Sequence, residues 1–365
     1  MAKLRILYIL AEYPQISQTY IEAELDAIQE ECEVVVISLK RPNLAYTTHR
    51  EHRYLTDADE ICEVIDDFRP HVLHSHYLTQ TEFVAGLARR KDIPFSIRTH
   101  SFDTIRANEN PSLSGTIRRF FRQVELPPYT QQAVPLVNDD LCLGILAFPF
   151  LRQRLERAGC DGDKIYDCYP VVNYRRFYDS SPNGNDVMNV GACLPKKSME
   201  DFLRLAQRVP NRTFNLYALG YGVESIAHLN DGIGRPARLI PPVEPKDMPQ
   251  EYKKHTWLVY TASRKLGTVG WPVSIAEAQA SGVGVCMPNL RPDLQDYVGP
   301  AGFLYDSISD VAGIISNPFP DEFRQLGFEH AKKSDVFHHK KVLINIWRKA
   351  AATDSIPSGN ELRIR

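Results

Sequence analysis

Short apolar runs alternate with helical patterns along this chain, stop at one polar stretch, and begin again; this double alternation limits the fold more than any other feature. The first series reads RILYIL (5–10), a helical pattern from Gln18 to Glu31, EVVVISL (33–39), HVLHSHY (71–77), a helical pattern near 80–91, and PFSIRTH (94–100). After a less regular middle it continues through CLGILAF (142–148), FLRQRLERAG (150–159) and KIYDCYPVVNYRRF (164–177). Continuous apolar strands separated by helices imply a parallel sheet covered on both faces. The turn formers of the stretch 179–186, among them Ser180, Ser181, Pro182, Asn183 and Gly184, break the pattern and mark a linker. The alternation resumes with VMNVGA (187–192), SMEDFLRLAQRV (198–209), TFNLYALG (213–220), ARLIPPV (237–243), TWLVYTAS (256–263) and GVGVCMP (282–288). Two doubly wound α/β domains are therefore expected, the first over 1–178 and the second over 179–335. A length of 365 residues agrees, since it exceeds what one core usually supports. Ligands of such sheets sit at the carboxyl ends of strands, where helix N-termini point, so function is to be sought in the cleft between the two domains.

Composition narrows the partners. Lys and Arg number 43 against 45 Asp and Glu, a formal net charge of -2, so no global field favours nucleic acid and an anionic ligand must be met locally. The seven cysteines (32, 62, 142, 160, 168, 193 and 286) are scattered without a CxxC pair, which argues against a disulfide framework and a zinc site and for a reducing compartment. No stretch approaches the ~20 apolar residues of a membrane span. A soluble, cytoplasmic chain is expected, with room for contact at the cytoplasmic face of a membrane. IRRFFRQ (117–123) and FLRQRLER (150–157) interleave Arg with Phe or Leu as a helix on an anionic surface would, and equally as an ordinary amphipathic helix would.

One stretch carries the most chemistry. In VGWPVSIAEAQASGVGV (269–285), Pro272 fits the first turn of a helix, the alanines favour helix, and Gly282 suits the left-handed position past its end. Ser274 and Glu277 could also form a capping box within the protein. Ser17 stands where an N-cap hydroxyl would begin the first helix. His100 ends an apolar run, where a strand's carboxyl end would present it to the cleft. His71, His74 and His76 lie near another strand, with no further Cys/His spacing to support a metal. The pairs Asp66-Asp67 and Asp139-Asp140 read as solvated surface.

In their order, five segments resemble a family 4 glycosyltransferase of the GT-B fold, and the resemblance covers nearly the whole chain. AEYPQISQTYIEAEL (11–25) resembles the opening P-x-x-S-x-T-[FY]-I-x-x-E of one branch. IPFSIRTHSFD (93–103) resembles the segment whose histidine lies beside the transferred sugar, and VVNYRRF (171–177) the end of the first domain, with Asn173 in place of an acid. VGACLPKKSMEDFL (190–203) resembles the phosphate-binding turn, and VGWPVSIAEAQASG the double-glutamate motif. The resemblance implies two Rossmann-like domains facing across a cleft, a last helix (336–352) crossing back to the first domain, and a flexible tail (353–365). It also implies a nucleotide-sugar donor, a glycan or lipid-linked glycan acceptor, retention of the anomeric configuration, and no metal or other cofactor.

Roles follow from the resemblance. His100, Lys197 and Glu277 would carry the chemistry, with Glu277 on the ribose hydroxyls and Lys197 on the leaving phosphate. Gly270, Trp271, Pro272, Val273 and Ser274 would hold the diphosphate, with Ala192, Lys196 and Val269 in the same donor site. Ser17, Gln18 and Thr19 would line the acceptor side, and Asp103 would orient His100 or bind a sugar hydroxyl. Two positions depart from the family: Val269 stands where the first glutamate is usual and Ala192 where an arginine is. Arg264 and Lys265, just before the motif, could replace the missing charge. Those departures also support a second reading, a GT-B-shaped binding or scaffold subunit without turnover; an epimerase or phosphorylase has no sequence feature behind it.

Overall fold

The structure is a computed structural model that describes residues 3–41, 48, 50–106, 126–220 and 222–353. The first sheet has seven parallel strands: β1 (Leu4–Leu10), β2 (Cys32–Ser38), β3 (Arg53–Tyr54), β4 (Val72–His76), β5 (Phe95–Arg98), β6 (Cys142–Ala147) and β7 (Ile165–Asp167), in the order β3-β2-β1-β4-β5-β6-β7. The second has six: β8 (Asp186–Ala192), β9 (Phe214–Leu219), β10 (Arg238–Leu239), β11 (His255–Val259), β12 (Gly284–Pro288) and β13 (Gly302–Tyr305), in the order β10-β9-β8-β11-β12-β13. Each sheet winds outward in both directions from its first strand. That reversal leaves a crevice at the carboxyl ends between β1 and β4 and again between β8 and β11.

All the strands except β3 and β13 are ones the apolar runs predict, because a strand buried on both faces has no polar alternation to lose. Ile6, Leu7, Tyr8 and Ile9 of β1 are all fully buried, as are Val285, Cys286 and Met287 of β12. ARLIPPV shrinks to the two-residue β10, since Pro241 and Pro242 offer no donors to a ladder. The first helix is Thr19–Ile28, shorter than the pattern predicts, and its N-cap position is Gln18 with no side-chain bond. Ser17 therefore does not cap it. The capping box over 274–277 is also absent: the helix is Val273–Ala280, its N-cap position is Pro272 without a side-chain bond, and Ser274 lies within it. Gly282 does take the left-handed conformation, at φ 74°.

The polar stretch after Tyr178 is pinned to the second lobe. Lys253 Nζ donates to the Asp179 and Ser181 carbonyls and to Asn183 Oδ1, and Asn183 Nδ2 donates to the His255 and Ser281 carbonyls. Helix Val336–Thr353 then returns to the first sheet. Leu343, Ile346 and Trp347 pack into one cluster with Ile6, Tyr8, Ile21 and Leu25, and Trp347 Nε1 donates to Ser96 Oγ at 2.9 Å. A wall of aromatic rings joins the lobes: Trp271 stacks on Tyr297 (4.8 Å, 5°) within the second and meets Phe148, Phe150 and Tyr169 of the first at 5.8, 5.2 and 5.2 Å.

Among the described residues no helix is long and apolar enough to cross a membrane, and all seven cysteines are free. Segment 117–123 and the tail from 354 lie outside the described residues. In FLRQRLER, Arg152 bonds Asp167 and the Gly162 and Ile165 carbonyls, and Arg154 bonds the Thr104 carbonyl. Those two arginines tie turns of the first lobe together, leaving Arg157 as the exposed one. Asp66 and Asp139 are paired at the surface with Lys91 and Arg89.

Candidate functional site

The carboxyl ends of the two sheets face each other across a cleft of about 350 Å³, lined by Ser17, Thr19, Tyr20 and His100 from one lobe and Gly191, Ala192, Lys196, Lys197, Val269 to Ser274 and Glu277 from the other. This is within the size of small-ligand sites.

On the first side, β5 ends at Arg98 and the chain turns sharply so that Asp103 reaches back over it. Asp103 Oδ1 accepts the His100 amide at 2.8 Å and Oδ2 accepts the Leu78 amide at 2.7 Å. Burial raises the Asp103 carboxyl to about 7 even against these bonds. Asp103 is fully buried and does not line the cleft, so its contact is with the backbone that carries His100. The His100 ring sits between Tyr77 (4.3 Å) and Tyr20 (4.8 Å), and burial drives its pKa well below the usual histidine range. Gln18 stays outside the lining and donates through Nε2 to Tyr77 Oη at 3.3 Å.

On the second side, β8 runs into a turn that brings two lysines to the cleft. The Thr261 hydroxyl donates to the Lys197 carbonyl at 2.7 Å and the Ser263 amide to the Lys196 carbonyl at 2.9 Å, which fixes the turn against the end of β11. Lys197 Nζ lies 5.2 Å from the centre of the Tyr260 ring. Gly191 is required here: its φ is +141°, and a Cβ at that position would run into the Lys197 ammonium. Burial lowers Lys197 to about 8, with the Lys196 charge adding to the effect, and lowers Lys196 as well. Among the described residues neither lysine has an ion-pair partner. Glu277 completes this side. Tyr252 Oη donates to its Oε2 at 2.7 Å, and burial raises its carboxyl to about 7.

Some expected donor contacts are not made. Arg264 turns away, donating to the Asn289 and Tyr305 carbonyls, and neither it nor Lys265 lines the cleft. As placed, those two residues bring no charge to the cleft lining. The Trp271 ring belongs to the aromatic wall and donates through Nε1 to Asp293 at 2.9 Å, leaving its backbone to face the cleft. Val269 is buried, and its carbonyl accepts Arg291 Nη1. Gly270 lies close against the first lobe: a Cβ there would stand 2.5 Å from Ser101 Cβ.

Sequence spacing misses one group altogether. His74 and His76 turn onto Glu24, which also receives Tyr8 Oη (2.9 Å) and Arg98 Nη1 (3.3 Å) and lies 2.5 Å from His339 Nε2, itself 2.7 Å from Arg98 Nη1. Ligand atoms of Glu24, His74 and His76 lie within 4.8 Å of one another, but the Arg98 guanidinium already holds the carboxylate that a cation would need. His71 stands apart, its Nδ1 accepting the Arg5 amide. The signal for this group was Glu24 itself, an acid at the i+3 position of the apolar stripe Ile21, Leu25 and Ile28.

Two Rossmann-like lobes whose strand ends face one cleft constitute the GT-B fold. Solved structures share it over their full length: sucrose-phosphate synthase of Thermosynechococcus elongatus (TM-score 0.72, 12% identity, 96% of this chain and 100% of that one) and HepE of Anabaena in complex with UDP and glucose (0.68, 14%, 97% and 100%). The lipopolysaccharide outer core galactosyltransferase WaaB is similar as well (0.61, 11%, 96% and 100%). No protein-family profile and no curated protein matches the chain.

Proposed function

We propose that this chain is a retaining family 4 glycosyltransferase that moves a sugar from a nucleoside diphosphate sugar, UDP-linked in preference to GDP-linked, to a glycan or lipid-linked glycan. The observation that carries the reading is the pair of half-buried lysines on the same side of the cleft as Glu277. Two desolvated ammonium groups with no ion-pair partner among the described residues are complementary to a diphosphate. The first turn of helix Val273–Ala280 adds backbone N–H donors that no side chain caps. Glu277 then accepts the ribose hydroxyls, and His100 faces the sugar from the other lobe. HepE, similar in fold, was captured with UDP and with UDP-glucose, which supports the uridine preference.

In the proposed reaction the acceptor hydroxyl attacks the anomeric carbon from the face that the diphosphate leaves. The bond from that carbon to the phosphate oxygen breaks, the new glycosidic bond forms on the same side, and the hydroxyl proton passes to the departing phosphate. Lys197 and Lys196 stabilise the charge that builds there, so positioning and electrostatics carry the catalysis without a metal ion. Incubation with UDP-sugars and candidate glycans, with and without a chelator, followed by NMR of the product, tests this. Nucleoside diphosphate release that persists in the chelator and a retained anomeric centre are expected; abolition by the chelator or an inverted product contradicts the scheme.

The apolar Val269 and Ala192 favour one second reading, a binding or scaffold subunit of a glycan-assembly complex. It is distinguished by nucleotide-sugar binding without product under any acceptor. Membrane association belongs to the acceptor half of the proposal, and sedimentation with anionic vesicles is its test.

A further inference from the structure

His100 is joined to a second buried histidine behind it. His76, the last residue of β4, has Nδ1 3.2 Å from His100 Nε2 and its own Nε2 3.2 Å from Glu24 Oε1. The ring centroids are 5.3 Å apart and the planes differ by 25°, which is compatible with an N–H···N bond between the facing nitrogens. Behind Glu24 stand Tyr8, Arg98, His339 and His74; Tyr8 and Arg98 donate to the carboxylate, and His339 Nε2 lies between it and Arg98 Nη1.

This arrangement dictates where the protons are. Burial would push the Glu24 carboxyl up, but His76 and His339 outweigh it and hold it well below the usual range, so it is an acceptor only. The Nε2 of His76 must then carry a hydrogen. Burial lowers His76 to about 4, leaving it neutral and its Nδ1 a lone pair. Among the described residues the one hydrogen-bond partner of that lone pair is His100 Nε2, which must then carry the hydrogen.

We infer that Glu24 and His76 form a relay that locks neutral His100 in its Nε2–H tautomer, leaving Nδ1 as a hydrogen-bond acceptor for a hydroxyl of the bound ligand. Glu24 and His76 are positioning residues: neither needs to touch the ligand. The inference deepens the proposed function by giving His100 an accepting role toward a sugar hydroxyl, and for that last step it rests on the proposal. The tautomer itself rests only on the three side chains.

Nitrogen-15 NMR of the histidine-labelled, ligand-free protein decides the tautomer, with the His76 and His100 signals assigned by substitution. Both rings are expected to show a protonated Nε2 and a bare Nδ1. A protonated Nδ1 on His100, a doubly protonated ring or an exchanging mixture overturns the relay. His76→Asn keeps a carbonyl able to accept from His100, whereas His76→Phe keeps none. The Asn variant should preserve the His100 signature and turnover with UDP-sugar, and the Phe variant should lose the signature and about tenfold or more in kcat. A His100 signature unchanged in His76→Phe contradicts the relay. A wild-type protein that binds no nucleotide sugar would sink the proposed function, while the NMR pattern would still decide the relay.

Discussion

Lys197 and Glu277 face one cleft with their titration ranges pushed toward each other, to about 8 and about 7. Glu277 accepts hydroxyl donors best when ionised, so nucleotide affinity should rise as pH climbs through about 7. Lys197 attracts phosphate only when charged, so affinity should fall as pH passes about 8. Titration calorimetry with UDP across this range should therefore give a maximum between the two values; an affinity flat through both contradicts the assignment. Folding responds separately. The Lys197 pKa is lowered in the folded state from 10.5 to about 8, so between those values the unfolded chain binds more protons and this residue's contribution to stability grows with pH, its loss being complete once pH has fallen to about 8. The sequence made these residues legible through the resemblance of their segments to a phosphate-binding turn and a double-glutamate motif: Lys197 follows β8 in a turn and Glu277 lies in the helix Val273–Ala280. It did not make Glu24 legible in its role: its partners His76, Arg98 and His339 are 52, 74 and 315 positions away, and only the folded sheet brings them together.

Turns rather than helices decide how the site is held. Gly191 leaves the space that the Lys197 ammonium occupies, and Gly270 lets the second lobe's loop lie against Ser101. Gly191→Ala combines an unfavourable backbone angle with a collision at Lys197, and should weaken UDP binding about tenfold or more by calorimetry. Gly270→Ala should hold the lobes apart and lower turnover about tenfold or more while UDP affinity stays near that of the wild type. Loss of binding equal to the loss of turnover would mean that the Gly270 loop serves the nucleotide alone. Element types were readable from the pattern, whereas the caps at Ser17 and Ser274 were not. Both serines have the right neighbours in sequence, yet the first helix begins at Thr19 and the motif helix at Val273, so neither hydroxyl meets an open amide.

For the whole molecule, the lobes are tied by the Trp271 aromatic wall and by the last helix lying on the first sheet. Trp347 is fully buried beside Tyr8 and His74, so Trp347→Ala should cost about 3–5 kcal/mol of stability in denaturant unfolding. A loss below about 1 kcal/mol would show that the helix end docks weakly. The two-lobe architecture was legible because the alternation restarts after residue 186, and the parallel order follows from how βαβ units wind. The short strand β3 and the aromatic wall were not, since a two-residue strand has no period and rings from different lobes share no spacing. The central claim, that the cleft takes a nucleoside diphosphate through Lys197 and Glu277, is tested most directly by thermal unfolding with saturating UDP, GDP and ADP. One nucleotide should stabilise the wild type, by about 2.7 kcal/mol at a hundredfold excess over Kd, and the gain should vanish in Lys197→Ala and Glu277→Ala. Stabilisation by none of the three, or a gain that survives both substitutions, would contradict it.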